Sequence, residues 1–413
     1  MHILFLTDNF PPETNAPATR TYEHTREWVK AGHQVTVITC VPNFPKGVVF
    51  EGYRNGLWQI ETIDGIKVIR VWSYITANEG FLKRTLDYMS FMLTGFLGSL
   101  FVRKVDVVVG TSPQFFTACA AYATSLFKRV PWVFELRDLW PETIAMVGAL
   151  KNRAILSVLE RLELFLYRKS DLIVSVTESF KEDLVVRGID PAKIRVITNG
   201  VDISSFKTQP KDQALREALN LSNKFVVGYL GTLGMCHKLD VVLEAANLLR
   251  KSPETSKVHF LLIGTGADKQ RLVEARDEMA LANVSFTDSV ARDQILRHWS
   301  VLDLALVHLA AEDGFKKVIP SKMFEAMAMG IPLLHGVKGE SAAIVSDTHS
   351  GIAFEPENAH DLCQKITTII HDPDLLARLS KSAGIAVKQY DRQFLALKML
   401  KSLEDIVIRG NEK

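Results

Sequence analysis

At 413 residues the chain is too long for one ordinary hydrophobic core, so two domains are expected. Its composition is that of a globular protein, 47% hydrophobic and 23% charged, and a net charge of +2 argues against a dedicated nucleic-acid binder. Cys40, Cys119, Cys236 and Cys363 are far apart, show no CxxC or metal-like spacing, and read as thiols of a reducing compartment.

The N-terminus runs straight into an apolar strand at 3–6, without the basic start and longer apolar core of a signal peptide, and a cytoplasmic location is expected. Further strands are predicted at 35–38, 68–71, 105–109, 132–134, 172–176 and 195–197. The second half repeats the pattern at 225–230, 260–263, 284–286, 304–307, 331–334 and 352–354. Continuous apolar strands separated by helical patterns indicate parallel sheets covered on both faces, hence two doubly wound α/β domains. The polar stretch around 199–210, with Gly200 and Pro210, marks the break. We expect domains at 1–205 and 206–390, and a terminal helix within 391–413 that could cross back to the first domain.

Ligands bind at the carboxyl ends of strands in such sheets. The loop after 3–6 runs from Asp8 to Ala18, stiffened by Pro11, Pro12 and Pro17. Its small residues around Asn15-Ala16 admit a substrate to the backbone, or simply form a rigid surface turn. With no GxGxxG here, dinucleotide binding loses its main support. Residues 86–102 carry Leu86, Met89, Leu93, Phe96, Leu97, Leu100 and Phe101 at helical spacing, with Lys83, Arg84, Arg103 and Lys104 at the flanks. Asp87, Ser90, Thr94 and two glycines argue against a spanning helix, leaving a core helix or one lying in a membrane interface. The basic flanks tilt the reading toward the interface, where a stripe of Ile155, Leu159, Leu162 and Leu166 could join it. After 132–134 comes Glu135-Leu136-Arg137-Asp138-Leu139-Trp140-Pro141-Glu142. Charges at a strand end must pair or bind something. Asp138 suits orienting a sugar or taking a proton and Arg137 offsetting phosphate, unless Arg137 pairs with Glu135 or Asp138.

In the second half, the loop Gly231-Thr232-Leu233-Gly234-Met235-Cys236-His237-Lys238 offers close backbone approach and a lysine for a diphosphate. Gly264-Thr265-Gly266 follows another strand, with Lys269 where a third Rossmann glycine would stand. Asp288-Ser289-Val290 could meet a nucleobase edge or form an ordinary turn. Ile319-Pro320-Ser321-Lys322 leads into a short helix with Glu325 one turn inside and Gly330 at its end. Free N–H groups, a hydroxyl and an ammonium favour phosphate there, and Glu325 can reach a sugar hydroxyl on the same ligand. Asp372-Pro373-Asp374 matches a DxD metal pattern, but Asp before Pro is the usual start of a helix. No metal is expected.

Taken in order, the Pro11-Pro12 loop, ELRDLWPE at 135–142, NGVD from Asn199 to Asp202, GTLGMCHK at 231–238, GTG at 264–266 and PSKMFEAMAMGIPLL at 320–334 resemble glycosyltransferase family 4 over nearly the whole chain. The resemblance implies a GT-B fold, two Rossmann-like domains facing a central cleft, and a retaining, metal-independent hexosyltransferase. It implies Glu325 on the ribose, Lys238 on the diphosphate, Gly264 and Gly266 bordering the nucleotide, and Asp138 near the donor sugar. Ala16, Arg137, Asn199, Gly231, Thr232, Ser289, Val290, Pro320, Ser321 and Lys322 complete the expected donor site. Three positions depart from the family: Lys317 replaces the first acid of the E-x7-E pair, Thr232 replaces an arginine, and Asn15-Ala16 replaces a Gly-Gly. Glu312 or Asp313 is a candidate to make up for Lys317. The sequence is most similar to the bacterial polysaccharide branch, including O-antigen N-acetyl-L-fucosamine transferases. That implies a UDP-sugar donor, an undecaprenyl-diphosphate-linked saccharide acceptor, and a peripheral place on the inner membrane through 86–102. A non-catalytic nucleotide-sugar-binding assembly protein and a GT-B UDP-sugar epimerase stay open as other readings.

Overall fold

The computed structural model describes residues 1–44, 46–76, 81–112, 114–142, 150, 152–291 and 294–411. It divides into two compact units, Met1–Asn199 with Arg392–Lys413, and Gly200–Asp391. The first holds β1 (His2–Leu6), β2 (Gln34–Thr39), β3 (Trp58–Ile63), β4 (Ile66–Val71), β5 (Val107–Thr111), β6 (Trp132–Leu136), β7 (Leu172–Ser175) and β8 (Ile194–Val196). They form one sheet in the order β3-β4-β2-β1-β5-β6-β7-β8. The second unit holds β9 (Phe225–Leu230), β10 (Val258–Ile263), β11 (Val284–Thr287), β12 (Leu304–His308), β13 (Leu333–Gly336) and β14 (Gly351–Ala353), in the order β11-β10-β9-β12-β13-β14. Each sheet reverses its order beside its first strand, between β1 and β5 and between β9 and β12. Loops leaving a sheet at such a reversal diverge to opposite faces and open a crevice.

The apolar runs are continuous because both faces of each sheet are covered. In β1, Leu4 and Leu6 join a cluster with Phe91, Phe115 and Phe134, whereas Ile3 and Phe5 pack with Trp28, Val107 and Leu403. In β9, Val226 and Leu230 meet Phe324 on one side, while Val227 and Tyr229 meet Leu243 and Leu362 on the other. β3 departs from the expected all-parallel pattern: it runs antiparallel to β4 at the sheet edge, with Ile63 opposite Ile66. Asp64 and Gly65 form its two-residue turn, both with positive φ as a primed hairpin turn requires.

All but the last two residues of the 86–102 segment lie in a helix running from Phe81 to Leu100. Its buried side carries Phe91, and Phe96 packs against the same core, so the exposed stripe is narrower than the sequence suggests: Leu86, Met89, Leu93 and Leu97, continued by Phe101. Similarly, Leu166 of the second stripe is buried, and the exposed face of the Arg153–Lys169 helix is Ile155, Val158, Leu162 and Phe165. Leu166 turns inward because it closes the core formed with Phe134 and Tyr167. Among the described residues, no helix is long and apolar enough to cross a membrane. Asp372 caps the Pro373–Ala386 helix, its carboxylate accepting the Leu375 N–H at 2.8 Å.

The terminal helix, Arg392–Asn411, belongs to the first unit. It lies on the Ala16–Lys30 helix, where the Trp28 indole donates to the Ala396 carbonyl at 2.8 Å and Met399 and Leu403 are wholly buried. Met399→Ala should therefore cost about 2–5 kcal/mol of stability, the range for truncating a buried aliphatic side chain. Guanidinium denaturation of the purified variant checks this.

Candidate active site

In the second unit the loops after β9 and β10 lock together. Gly231 N–H donates to Ile263 O (2.9 Å), Leu233 N–H to Thr265 O (2.9 Å) and Asp268 N–H to Leu233 O (3.0 Å). Gly264 crosses so closely that a Cβ there would sit 1.9 Å from the Gly231 carbonyl oxygen, and its φ of +150° also favours glycine. The crossing shapes a cavity of about 210 Å³. Gly231, Thr232, Gly264, Thr265, Ser289 and Val290 line it, backed by Leu230, Ile263 and Ile295. Five of the residues singled out from sequence are thus brought together, from three loops that together span residues 231–290. Gly266 lies in the same loop, packed against the Leu233 backbone.

The rest of the predicted set surrounds this loop. Lys238 is exposed, in left-handed conformation at the end of a short 3-10 turn, Met235–His237, two residues before the Asp240–Leu249 helix. The loop is fastened to the end of β12: Ala310 N–H donates to Cys236 O (2.8 Å), and His308 Nδ1–H donates to His237 O (2.7 Å). Because His308 Nε2 also accepts the Glu357 N–H at 2.9 Å, its imidazole must be neutral, in line with burial lowering its pKa. Pro320 and Ser321 open a helix of only seven residues, Lys322–Ala328, with no side-chain cap bond from Ser321. Glu325 Oε2 accepts from the Trp299 indole at 3.3 Å, which fixes the carboxylate's orientation. The Lys322 stem is half-buried but its Nζ is shielded from solvent, 3.6 Å from the centre of the Tyr229 ring. Neither Tyr229 nor Trp299 was singled out from sequence; both lie in apolar segments that read as core. Of the candidates to replace the missing acid, Asp313 is exposed and paired with Lys316 at 2.6 Å, and Glu312 is exposed.

In the first unit, Arg20 organises the strand ends. Its Nε donates to Glu135 Oε1 (2.9 Å), and its two terminal nitrogens reach the carbonyls of Thr198 (2.7 Å) and Ile197 (2.9 Å) and the Asn199 side chain (3.4 Å). Glu135 is thus paired with Arg20, whereas Arg137 donates to the Pro17 carbonyl at 3.2 Å. Asn199 serves this internal anchor. Ala16 is the first residue of its helix, capped by Asn15, which accepts the Ala18 N–H. Across the switch point, Gln114 donates to Asp8 Oδ2 at 2.7 Å. Burial lowers the Arg137 guanidinium to about 10 and raises the Asp138 carboxyl to about 6, against the pull of Arg137. Among the described residues, no group of three or more His, Cys, Asp or Glu side chains is placed to hold a metal.

Two doubly wound units, one with a glycine-walled pocket at the carboxyl ends of β9, β10 and β11, define a GT-B glycosyltransferase using a nucleotide sugar. Residues 15–200 match the glycosyl transferase 4-like domain and residues 211–385 match glycosyl transferases group 1. The chain belongs to glycosyltransferase family 4, the retaining enzymes of this fold. It is 26% identical over 342 residues to the putative colanic acid biosynthesis glycosyl transferase WcaI of Escherichia coli strain K12, spanning 80% of this chain and 82% of WcaI. It is 23% identical over 401 residues to the alpha-monoglucosyldiacylglycerol synthase of Acholeplasma laidlawii, spanning 92% of this chain and 91% of that protein. The solved structure of Anabaena Alr3699/HepE in complex with UDP-glucose shares the fold, with a TM-score of 0.72 at 19% identity, over 98% of this chain and 100% of that one.

The Asp138 shift carries a stability consequence. A carboxyl whose pKa rises from 3.8 to about 6 on folding costs nothing below 3.8, and its cost grows with pH until it is complete above about 6. Asp138→Asn should stabilise the protein by about 1–3 kcal/mol at pH 8, with the gain fading toward pH 4. Thermal melts at the two pH values check this.

Proposed function

We propose that this enzyme moves a sugar, N-acetyl-L-fucosamine or a related N-acetylated sugar, from its UDP carrier to an undecaprenyl-diphosphate-linked saccharide in O-antigen or capsule synthesis. The first unit would take the acceptor and the second the donor. The observation that carries the donor half is the cavity at the Gly231–Gly264 crossing, walled by backbone, with the Lys322 ammonium behind Gly231. UDP is favoured because HepE, of the same fold, is described with UDP-glucose. A polysaccharide product follows the name of WcaI, and a lipid-borne acceptor follows that of the Acholeplasma synthase.

In this reading Ser289 and Val290 meet the base and Glu325, held by Trp299, accepts the ribose hydroxyls. Gly264 and Gly266 border the nucleotide. The backbone of Gly231 and Thr232 receives the diphosphate, with Lys238, Lys322 and the Pro320-Ser321 turn offsetting its charge. The family resemblance assigns Asp138 to the donor sugar, and Arg137 adds positive charge beside Asp138. The retained anomeric configuration, with no evident protein nucleophile, points to displacement on the front face. The departing diphosphate oxygen takes the acceptor proton, and the lysines stabilise the charge that develops on it. Lys238→Ala and Glu325→Gln should each lower kcat/KM at least about a hundredfold while leaving the melting temperature nearly unchanged, since glutamine keeps an oxygen for the Trp299 indole. UDP at a hundred times its Kd should stabilise the wild-type protein by about 2.7 kcal/mol. Full turnover in both variants, or no thermal shift with any nucleoside diphosphate, would sink the assignment.

The exposed stripe Leu86, Met89, Leu93, Leu97 and Phe101, flanked by Lys83, Arg84, Arg103 and Lys104, supports a membrane-surface location at the inner face. Trp58, half exposed on β3, meets Phe101 edge-on at 5.7 Å and widens the patch. Leu93→Glu/Leu97→Glu should reduce co-sedimentation with anionic phospholipid vesicles several-fold without altering donor binding. Unchanged vesicle binding would remove this surface from the proposal.

A further inference from the structure

Among the described residues of the second unit, the Lys322 ammonium is a buried charge left without a hydrogen-bond partner, and its Nζ lies 3.6 Å from the centre of the Tyr229 ring. An aromatic face offsets only part of the cost of taking an ammonium out of water. The Tyr229 hydroxyl is itself committed, donating to the Thr232 carbonyl at 2.7 Å, so it offers Lys322 only the ring. Yet this ammonium lies against the cavity wall: a Cβ on Gly231 would sit 2.8 Å from Nζ and 3.2 Å from Cε. Gly231, at φ +139°, thus leaves room for the lysine tip behind the same backbone that lines the pocket.

We propose that Lys322 makes donor binding a proton-linked event: a diphosphate arriving at the Gly231–Thr232 backbone draws the side chain from the Tyr229 face as its counter-charge, and Lys322 takes up a proton from solvent as the complex forms. This rests on the donor-site reading above and adds to it a residue that senses pH. The balance is simple, since the proton adds to the Nζ lone pair of the neutral fraction and no bond in the donor changes.

The surroundings isolate Lys322 as the group that titrates. Burial, opposed by Glu325 and Cys236, brings its pKa down to about 7, so the empty site holds a mixture of amine and ammonium at neutral pH. The other titratable groups facing it are Glu325 one turn along its own helix, Cys236 and His237 from the loop after β9, and Tyr229 beneath. Burial raises the Cys236 thiol and lowers His237 to about 3, and burial likewise raises Tyr229 well above its ordinary value. Those three therefore keep one protonation state between about pH 6 and 8.5. A bound dianion would favour the charged amine, as opposite charges do at close range.

Isothermal titration calorimetry of the full-length protein with UDP at pH 8, in buffers of differing ionisation enthalpy, reads the proton count directly. The terminal phosphate of UDP titrates near pH 6, by analogy with other phosphate monoesters, and is already ionised there. Wild type should take up close to one proton per UDP, and its affinity should fall toward tenfold per pH unit above about pH 7. Lys322→Arg, charged throughout, should bind with no uptake and little pH dependence. Lys322→Met should bind roughly ten- to a hundredfold more weakly at pH 7, also without uptake. Thermal melts establish that both variants are folded. UDP binding with no proton uptake in wild type, or with uptake persisting in Lys322→Arg, overturns this inference alone. No binding of UDP, GDP, ADP or dTDP by folded wild type overturns the donor reading beneath it.

Discussion

The donor-side pocket exists because two backbones come closer than side chains would permit. Gly264 passes over the Gly231 carbonyl, and three hydrogen bonds then hold the two loops in that crossing. Everything chemically distinctive in the second unit is arranged about this contact. It walls the cavity that Ser289 and Val290, following β11 beside β10, also line. It also leaves, behind Gly231, the space that the tip of Lys322 fills. The strand order β10-β9-β12 is what makes the crossing possible, since the loops after β9 and β10 emerge side by side while those after β12 and β13 turn to the other face.

The first unit solves a different problem, that of seating charge at the buried ends of strands. Arg20 is nearly inaccessible and meets one carboxylate, two carbonyls and an amide side chain, so its planar fork is well used. Glu135 is the compensating charge; burial alone would raise its pKa, but Arg20 and Arg137 outweigh that and hold it lowered. With Glu135 committed to Arg20, Asp138 is left with the weaker influence of Arg137, and burial dominates its titration. Two carboxylates three residues apart thus acquire opposite characters, one fixed as an anion and one able to exchange a proton near neutrality.

Much of this was legible in the sequence, for reasons that can be traced to particular residues. Continuous apolar strands such as Ile3 to Leu6 have no polar alternation because helices cover both faces, so the doubly wound class could be read directly. Glycines in loops after strands marked Gly231 and Gly264, whose conformations only glycine adopts comfortably. The edge strand β3 was missed although its alternating Trp58, Ile60 and the Asp64-Gly65 pair are a hairpin signal. The partners Tyr229 for Lys322 and Trp299 for Glu325 could not be read, because they depend on which neighbouring segments the fold brings together rather than on local pattern. The same limit applied to Leu166, whose helical spacing fits two faces equally well until the core decides between them.

The chain leaves its first unit at Asn199 and returns to it at Arg392. Vectorial synthesis therefore meets an unusual order of events. The second unit is a single contiguous stretch and has all its residues available as soon as Asp391 has cleared the ribosome. The earlier unit, although made first, must wait for the last helix before Trp28 gains its acceptor and the surface that receives Met399 and Leu403 is covered. Until then an apolar face stays open to water, and to other nascent chains, for the whole time needed to translate the intervening segment. The stage of biogenesis most exposed to chaperone engagement is thus set by the return of the chain to its first unit, not by the size of either sheet.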